Sequence, residues 1–279
     1  MSSHWENIKR APAALLRPYI TEYSFRRVRV LTGQTLTQTM PVWCQTTIDF
    51  FFGENIITVD DETGKIIPFA KCLFRGIRTH TKNHLEIKGD FTVFLIRFTP
   101  VGFYRLLGVP AYLFTDQVID GTLIDKQLFL EITERLSPCT NIESCVVVVE
   151  PYLLNLAYRA ERNIRASEPV GKMIQFMSAS KVPDSVSFLQ NKVGLSQRQL
   201  ERNFIKEIGT TPKHYSRMLR FTNMLYKKMQ DSNSKWSSIA YDFNYTDQMH
   251  LIHDFKCFLG VTPTRFDTEN YAGFEDTPF

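Results

Sequence analysis

Two stretches of this chain superimpose on each other without a gap. "LSQRQLERNFIKEIGTTPKHY", residues 195–215, and "YTDQMHLIHDFKCFLGVTPTRF", residues 245–266, align at a constant offset of 51 positions. The overlay pairs Leu200 with Leu251, Phe204 with Phe255 and Gly209 with Gly260. Past the glycines it pairs Thr211 with Thr262, Pro212 with Pro263 and Tyr215 with Phe266. Such a repeat requires one local unit built twice.

The punctuation of the repeat identifies that unit. Ser196 with Gln199 three residues on is a capping box, in which each side chain satisfies a backbone N–H at a helix start. Gly209 is a helix stop that tolerates a left-handed backbone. Thr211 then caps a new helix, with Pro212 at the first position, where a missing N–H costs nothing. In the second copy Asn244 takes the turn, Asp247 caps, Gly260 stops, and Thr262-Pro263 opens another helix. Short helices "VGKMIQFMSAS", "SVSFLQNKV" and "SKWSSIAYDFNY" precede and separate the copies. Between them a long helix is expected to bury Tyr215, Met218, Leu219, Thr222, Leu225, Tyr226 and Met229 on one face. The spacing predicts a helix-turn-helix used twice and joined by one linker helix.

The first hundred residues have a different texture. "MPVWCQTTIDFFFG", "NIITVDD", "IIPFAKCLFRG" and "HLEIKGDFTVFLIRF" are short, rich in β-branched and aromatic residues, and separated by turn residues. "FTVFLIRF" is nearly continuous in apolar character, which predicts a central strand covered on both faces. From "TPVGFYRLLGVP" onward, apolar residues recur at spacings of three and four. The fold class is therefore α+β and multidomain: a β-rich, barrel-like domain at 1–120, connecting helices at 121–165, an all-α domain at 166–270, and a tail at 271–279. "RASEP", residues 165–169, reads as the linker into the all-α domain.

Charge divides along the same boundary. Residues 166–266 carry 14 Lys and Arg against 8 Asp and Glu, whereas the remainder carries 19 against 21. A basic all-α third suits a polyanionic partner. The five cysteines are scattered and form no CxxC pair, as reduced thiols do. The amino terminus lacks the apolar run of a signal peptide, and no apolar stretch is long enough to span a bilayer. The chain is expected to be soluble and cytoplasmic, with no membrane partner.

Residues 170–266 resemble the DNA-binding domain of the AraC family of transcription regulators. The resemblance rests on "IAYDFNYTDQMHLIHDFKCFLGVTPTRF", where Ile-Ala, Phe, Gly and Thr-Pro all fall in register with that family's pattern. It departs at Asn244-Tyr245, where the family usually has Gly-Phe. It departs again at His253, where Arg is frequent, and at Gln190, where a small residue is expected. The resemblance implies that helices at 196–208 and 247–259 enter successive major grooves of double-stranded promoter or operator DNA. It maps base reading onto Arg198, Glu201 and Arg202, and onto Gln248, Met249, His250, Ile252 and His253. Arg, Gln and His offer hydrogen bonds to base edges, and Met or Ile can meet a thymine methyl group. Glu201 either accepts from cytosine or pairs with a neighbouring Arg. Lys206, Lys213, Arg217, Arg220 and Lys256 are the phosphate candidates. "LIRFTPVGFYRLLGVPAYLFTDQVID" resembles the end of the β-rich sensor domain in one branch of these regulators. That implies a small-molecule effector or association into a homodimer, with "LFLEITERL" and "LLNLAY" either pairing two copies or packing on the barrel.

Two other classes compete. A metal-dependent barrel enzyme would use His80, His84 and Glu86 as ligands, and a protein-interaction scaffold would use the helical repeat for packing. The aromatic set Trp43, Phe50, Phe51, Phe52, Phe94 and Phe98 either lines a small-molecule pocket or fills the core. No GxSxG, P-loop, dinucleotide fingerprint or HExxH is present. No catalysis, cofactor or metal is expected.

Overall fold

The computed structural model describes residues 5–53, 56–81, 83–166, 168–179, 186–231 and 233–266. The amino-terminal half holds β1 (Glu6–Arg10), β2 (Ile20–Arg29), β3 (Leu36–Thr39), β4 (Thr47–Phe52) and β5 (Ile56–Asp60). It continues with β6 (Ile66–Ile67), β7 (Cys72–Arg75), β8 (Asn83–Ile87), β9 (Asp90–Phe98), α1 (Gly102–Leu107) and β10 (Val118–Asp120). Two open antiparallel sheets, rather than a closed ring, make this barrel-like region. One has the order β1-β2-β9-β4-β7-β10 and the other β3-β8-β5-β6.

Because side chains alternate across a strand, the larger sheet has two faces with separate jobs. One face turns Val28, Phe51, Leu73, Phe91 and Val93 toward Leu85 and Ile87 of the smaller sheet. The other turns Tyr23, Phe25, Phe50, Phe74, Phe94 and Phe98 toward helices. Those helices are α1, α2 (Lys126–Leu136) and α3 (Ile142–Ala166), which contribute Phe103, Phe129, Ile132, Val149 and Leu153. Strand β9 lies between β2 and β4 with both faces covered, which is why its sequence is nearly continuous in apolar residues. The aromatic set read from the sequence is split accordingly. Phe50, Phe94 and Phe98 fill the helix side, Phe51 lies between the sheets, and Trp43 lies under the Arg97 guanidinium. The apolar faces of "LFLEITERL" and "LLNLAY" pack on the sheet, through Phe129, Ile132 and Leu153.

The carboxy-terminal part is all helix: α4 (Glu168–Ser178), α5 (Val186–Val193), α6 (Gln197–Ile208), α7 (Pro212–Gln230), α8 (Trp236–Asp242) and α9 (Gln248–Leu259). Arg165 and Ala166 end α3, and α4 begins at Glu168. The linker helix α7 buries Phe221 and Met224 in addition to Tyr215, Met218, Leu219 and Leu225, since it is packed from more than one side. Val42, Cys44, Ile77 and Val101 of the amino-terminal half enter the same apolar core as α4, α6, α7 and α9. The tail expected at 271–279 lies outside the described residues. No described helix is long and apolar enough to cross a membrane.

Candidate nucleic-acid interface

Each copy of the repeat builds a helix-turn-helix, α5–α6 and α8–α9, on either side of α7. In the first, the Ser196 hydroxyl accepts from the Gln199 N–H, and the Gln199 side chain accepts from the Ser196 N–H, completing the capping box. Gly209 ends α6 in the left-handed conformation at φ 99°. In the second, the Asp247 carboxylate accepts from the His250 N–H at 2.7 Å, and this bond holds the Asp247 carboxyl below its ordinary pKa. Asn244 makes the turn at φ 55°, and Gly260 ends α9 at φ 71°. Thr262-Pro263 starts a single turn of 3-10 helix, Pro263–Arg265, and Thr262 makes no side-chain cap.

Repeated core positions are buried in register. Leu200, Phe204, Leu251 and Phe255 are at most 4% exposed. The remaining positions of the first turns face solvent: Arg198, Glu201 and Arg202 on α6, and Gln248, Met249 and His253 on α9. Met249 stands 73% exposed, an open apolar group at the tip of the second unit. Glu201 accepts from Gln197 of its own helix at 3.2 Å. Ile252 is half-buried. His250 is half-buried too, with its ring edge-on to Tyr245 and its Nε2 3.0 Å from Arg220.

The candidate phosphate contacts divide into two groups. Lys213 and Lys256 are exposed. Arg217 and Arg220 are instead engaged by Asp254, whose side chain is fully buried on α9. Arg217 donates to it at 2.7 Å and Arg220 at 3.4 Å. The Tyr245 hydroxyl donates to the same carboxylate at 2.8 Å, and burial together with Asp254 raises the Tyr245 pKa. Lys206 points toward the amino-terminal half, its ammonium 5.2 Å from the Tyr104 ring centre. Reading the sequence alone missed Asp254, because a carboxylate one position before Phe255 on an amphipathic helix looks solvated. The overlay carried the signal: Asp254 falls on Asn203, so it sits on the flank of the buried stripe. Gln190, larger than the small residue expected there, donates through its amide to the Leu195 carbonyl at 3.2 Å and so ties the first turn together.

Both α6 and α9 end against the amino-terminal half. The last carbonyls of a helix lack partners within it. Here the Gly209 carbonyl accepts from Thr115 Oγ1 at 2.7 Å, and the Phe258 carbonyl accepts from Thr81 Oγ1 at 2.7 Å and the Val42 N–H at 3.1 Å. Beside the first contact, Glu207 is buried near Arg105 of α1, and burial pushes its carboxyl up to about 7. Beside the second, burial and the Arg217 charge lower the His214 pKa.

The alternative metal cluster does not assemble. His80 faces Asp116 at 3.7 Å, while His84 contacts Asp61 at 2.6 Å with Glu86 at 3.9 Å. Among the described residues no group of three His, Cys, Asp or Glu side chains has the arrangement to hold a metal ion.

Comparison with known proteins adds the following. Residues 189–269 match the family model described as a helix-turn-helix domain. Residues 8–120 match the model described as a domain of unknown function, DUF6597. No curated protein matches the chain. Among solved structures, ToxT from Vibrio cholerae O395 is similar at 10% identity and a TM-score of 0.48, over 90% of this chain and 98% of that one. A structure of ToxT from Vibrio cholerae strain SCE256, titled as bound to an unsaturated fatty acid, is similar at 10% identity and a TM-score of 0.45, over 86% and 93%. A cupin superfamily protein from Desulfitobacterium hafniense is similar at 11% identity and a TM-score of 0.25, over 35% and 80%.

Proposed function

We infer from its AraC-type helix-turn-helix domain that this chain is a DNA-binding transcription regulator, and we propose that it reads DNA with two recognition helices held on one linker helix. One observation carries this proposal. The first turns of α6 and α9 are free at the surface while their last turns are seated on the rest of the molecule. A recognition helix reads base edges with its amino-terminal residues, so the ends left open are the ends that would enter a groove. Arg198 and Arg202 would serve the first half-site, with Glu201 as acceptor for cytosine. Gln248, Met249 and His253 would serve the second, with Ile252 and His250 flanking. Lys213 and Lys256 would contact phosphate. Arg217, Arg220 and Lys206 would act one step back, by holding α9 and α6 in place.

The amino-terminal half would control this reader. It touches the carboxyl ends of both recognition helices, so a ligand that shifted those contacts would shift both units together. Association of two copies is proposed for the outer stripe of α3, where Val147 and Tyr158 remain exposed after the inner face has packed on the sheet. DNA reading of this kind would take place in the cytoplasm.

The experiment is binding of the full chain to fragments around its own gene, in a salt series with competitor DNA, with Arg202→Ala and His253→Ala alongside. A preferred fragment, an affinity that falls steeply with salt, and a lost preference in the variants would support two-headed reading. Binding indifferent to sequence at every salt concentration would overturn it.

A further inference from the structure

Three neighbouring strands of the larger sheet share one end. β2 begins there, β9 ends there and β4 begins there, since Ile20 pairs with Phe98 and Thr47 with Arg97. Between that end of the sheet and α4 lies a cavity of about 590 Å³. Small-molecule sites have this size, and they favour the seams between domains. Pro18, Pro100 and Val101 line it from the sheet side and Ile174 from α4. Gly171 leaves the Arg105 guanidinium room to lie against α4, because a Cβ there would come within 2.4 Å of Nη2. The charges around the cavity answer one another. Lys172 pairs with Glu168 at 2.6 Å, and Arg105 stands near the carboxylates of Glu207 and Glu168. Arg17 is open to water. The lining therefore fixes no charge on an occupant.

One polar group of this lining has no partner. Gln45 stands just before β4, is 3% exposed, and has its Oε1 buried without a hydrogen bond. Buried polar groups are ordinarily satisfied, and one left unpaired is destabilising. Oε1 is an acceptor, so the missing group is an N–H or O–H donor, and no charge is needed. An amide carries donors beside its acceptor. The edge that complements it whole is a second amide held cis, with its own N–H and C=O side by side. A cyclic amide fixes that edge and carries it on a hydrocarbon ring. Pro18, Pro100, Val101 and Ile174 offer such a ring an apolar surface.

We propose that the cavity between the end of the larger sheet and α4 is a binding site for an uncharged cyclic amide, held at its N–H by Gln45. The site stands on its own lining. Only its consequence at DNA rests on the proposed control of the reader by a ligand. An occupant would touch the sheet end and α4 at once, and Arg105 on its wall stands near Glu207 of α6. It would therefore clamp α4, and through Arg105 α6, to the amino-terminal half.

The test is a titration of the full chain with ε-caprolactam and with oxindole, each against its N-methyl counterpart, read by calorimetry and by ligand-observed NMR. Gln45→Met removes the amide and keeps the length of the side chain. Thr21→Trp, at an exposed position of the lining, fills the cavity. Melting curves confirm that each variant is folded. Saturable binding of one lactam, one per chain and about tenfold tighter than its N-methyl counterpart, is expected. That difference should vanish in Gln45→Met, and binding of both compounds should be lost in Thr21→Trp. No saturable binding, equal binding of the N-methyl compound, an undiminished difference in folded Gln45→Met, or unchanged binding by folded Thr21→Trp would overturn the site. The same samples are then carried into the DNA assay. Binding of the lactam with DNA affinity unchanged would support the site and end the reading of it as a control point. Sequence-dependent DNA binding with no lactam bound would end the site and leave the regulator standing.

Discussion

The two helix-turn-helix units share a backbone plan, yet they are held in place by different physics. The first unit is tied by uncharged hydrogen bonds: a capping box, a Gln190 tie across the turn, and a Gly209 carbonyl that accepts from Thr115. The second is held by charge. Asp254 sits fully buried in α9 and accepts from Arg217 and Arg220 of the linker helix and from Tyr245 of the turn. At the equivalent place the first unit has Asn203, half-buried and neutral. Identical elements can therefore be anchored by uncharged hydrogen bonds or by a buried ion network, and the two should fail differently.

The largest effect is expected where that network is broken. Asp254→Ala leaves two partly buried guanidinium groups and one buried hydroxyl without their acceptor, and should destabilise the chain by about 3–5 kcal/mol. Chemical denaturation of the full chain would measure this, and Asn203→Ala should cost far less. Equal costs would show that the two units are anchored alike.

The two helix stops sharpen the contrast. At both, a side chain would be forced into the left-handed region, at roughly 1–2 kcal/mol. A Cβ on Gly260 would meet nothing within 4 Å, whereas one on Gly209 would lie 2.3 Å from Thr115 Oγ1. Gly209→Ala should therefore cost roughly 1–2 kcal/mol more than Gly260→Ala. It should also raise protease sensitivity between the halves of the molecule.

A third difference lies in pH. Glu207, on α6, has its pKa raised from the ordinary carboxylate value to about 7 by burial. Below the unfolded value both states hold the proton and the fold is unpenalised. As the pH rises toward 7 the unfolded state ionises first, and stability is lost up to that point and then levels off. Arg105 from α1 and Lys206 on its own helix offset part of this penalty. Glu207→Gln should leave stability near pH 4 unchanged and gain about 1–2 kcal/mol at pH 8. The burial-lowered pKa of His214 acts in the opposite direction, with stability falling as the pH drops below the ordinary histidine value. Melting temperatures from pH 4 to pH 8 would separate the two.

The smallest effect is expected at the caps. Ser196→Ala and Asp247→Ala each remove an acceptor for an N–H in the first turn and should cost about 1 kcal/mol. Only Asp247→Ala should become less damaging at high salt, because that cap alone is charged.

Much of this was legible before any coordinates. Ser196, Gln199, Gly209, Thr211 and Pro212 each act within a few residues of themselves, so their identities announce the helix ends they make. Strand β9 was legible because both of its faces are apolar. Strand β2 was not, although it is the longest strand described: "ITEYSFRRVR" puts Ser24 and Arg26 into a covered face, and buried charge looks like surface in a sequence. Asp254, Arg217 and Arg220 escaped for the same reason. A charged side chain is assigned to water by default, and only its partner, found 34 or 37 positions away, reverses the assignment.

By itself, the sequence determined what is set by nearest neighbours in the chain: two capped helix units, the linker between them, a β-rich first half, and a basic last third. Tertiary structure alone decided which charges are buried, which ends of α6 and α9 are free, and that Val42, Cys44, Ile77 and Val101 join the core of α4, α6, α7 and α9. Capping and periodicity act over a turn or a strand and leave their mark in adjacent residues. Burial and ion pairing depend on surfaces brought together from distant parts of the chain, and they leave no local trace.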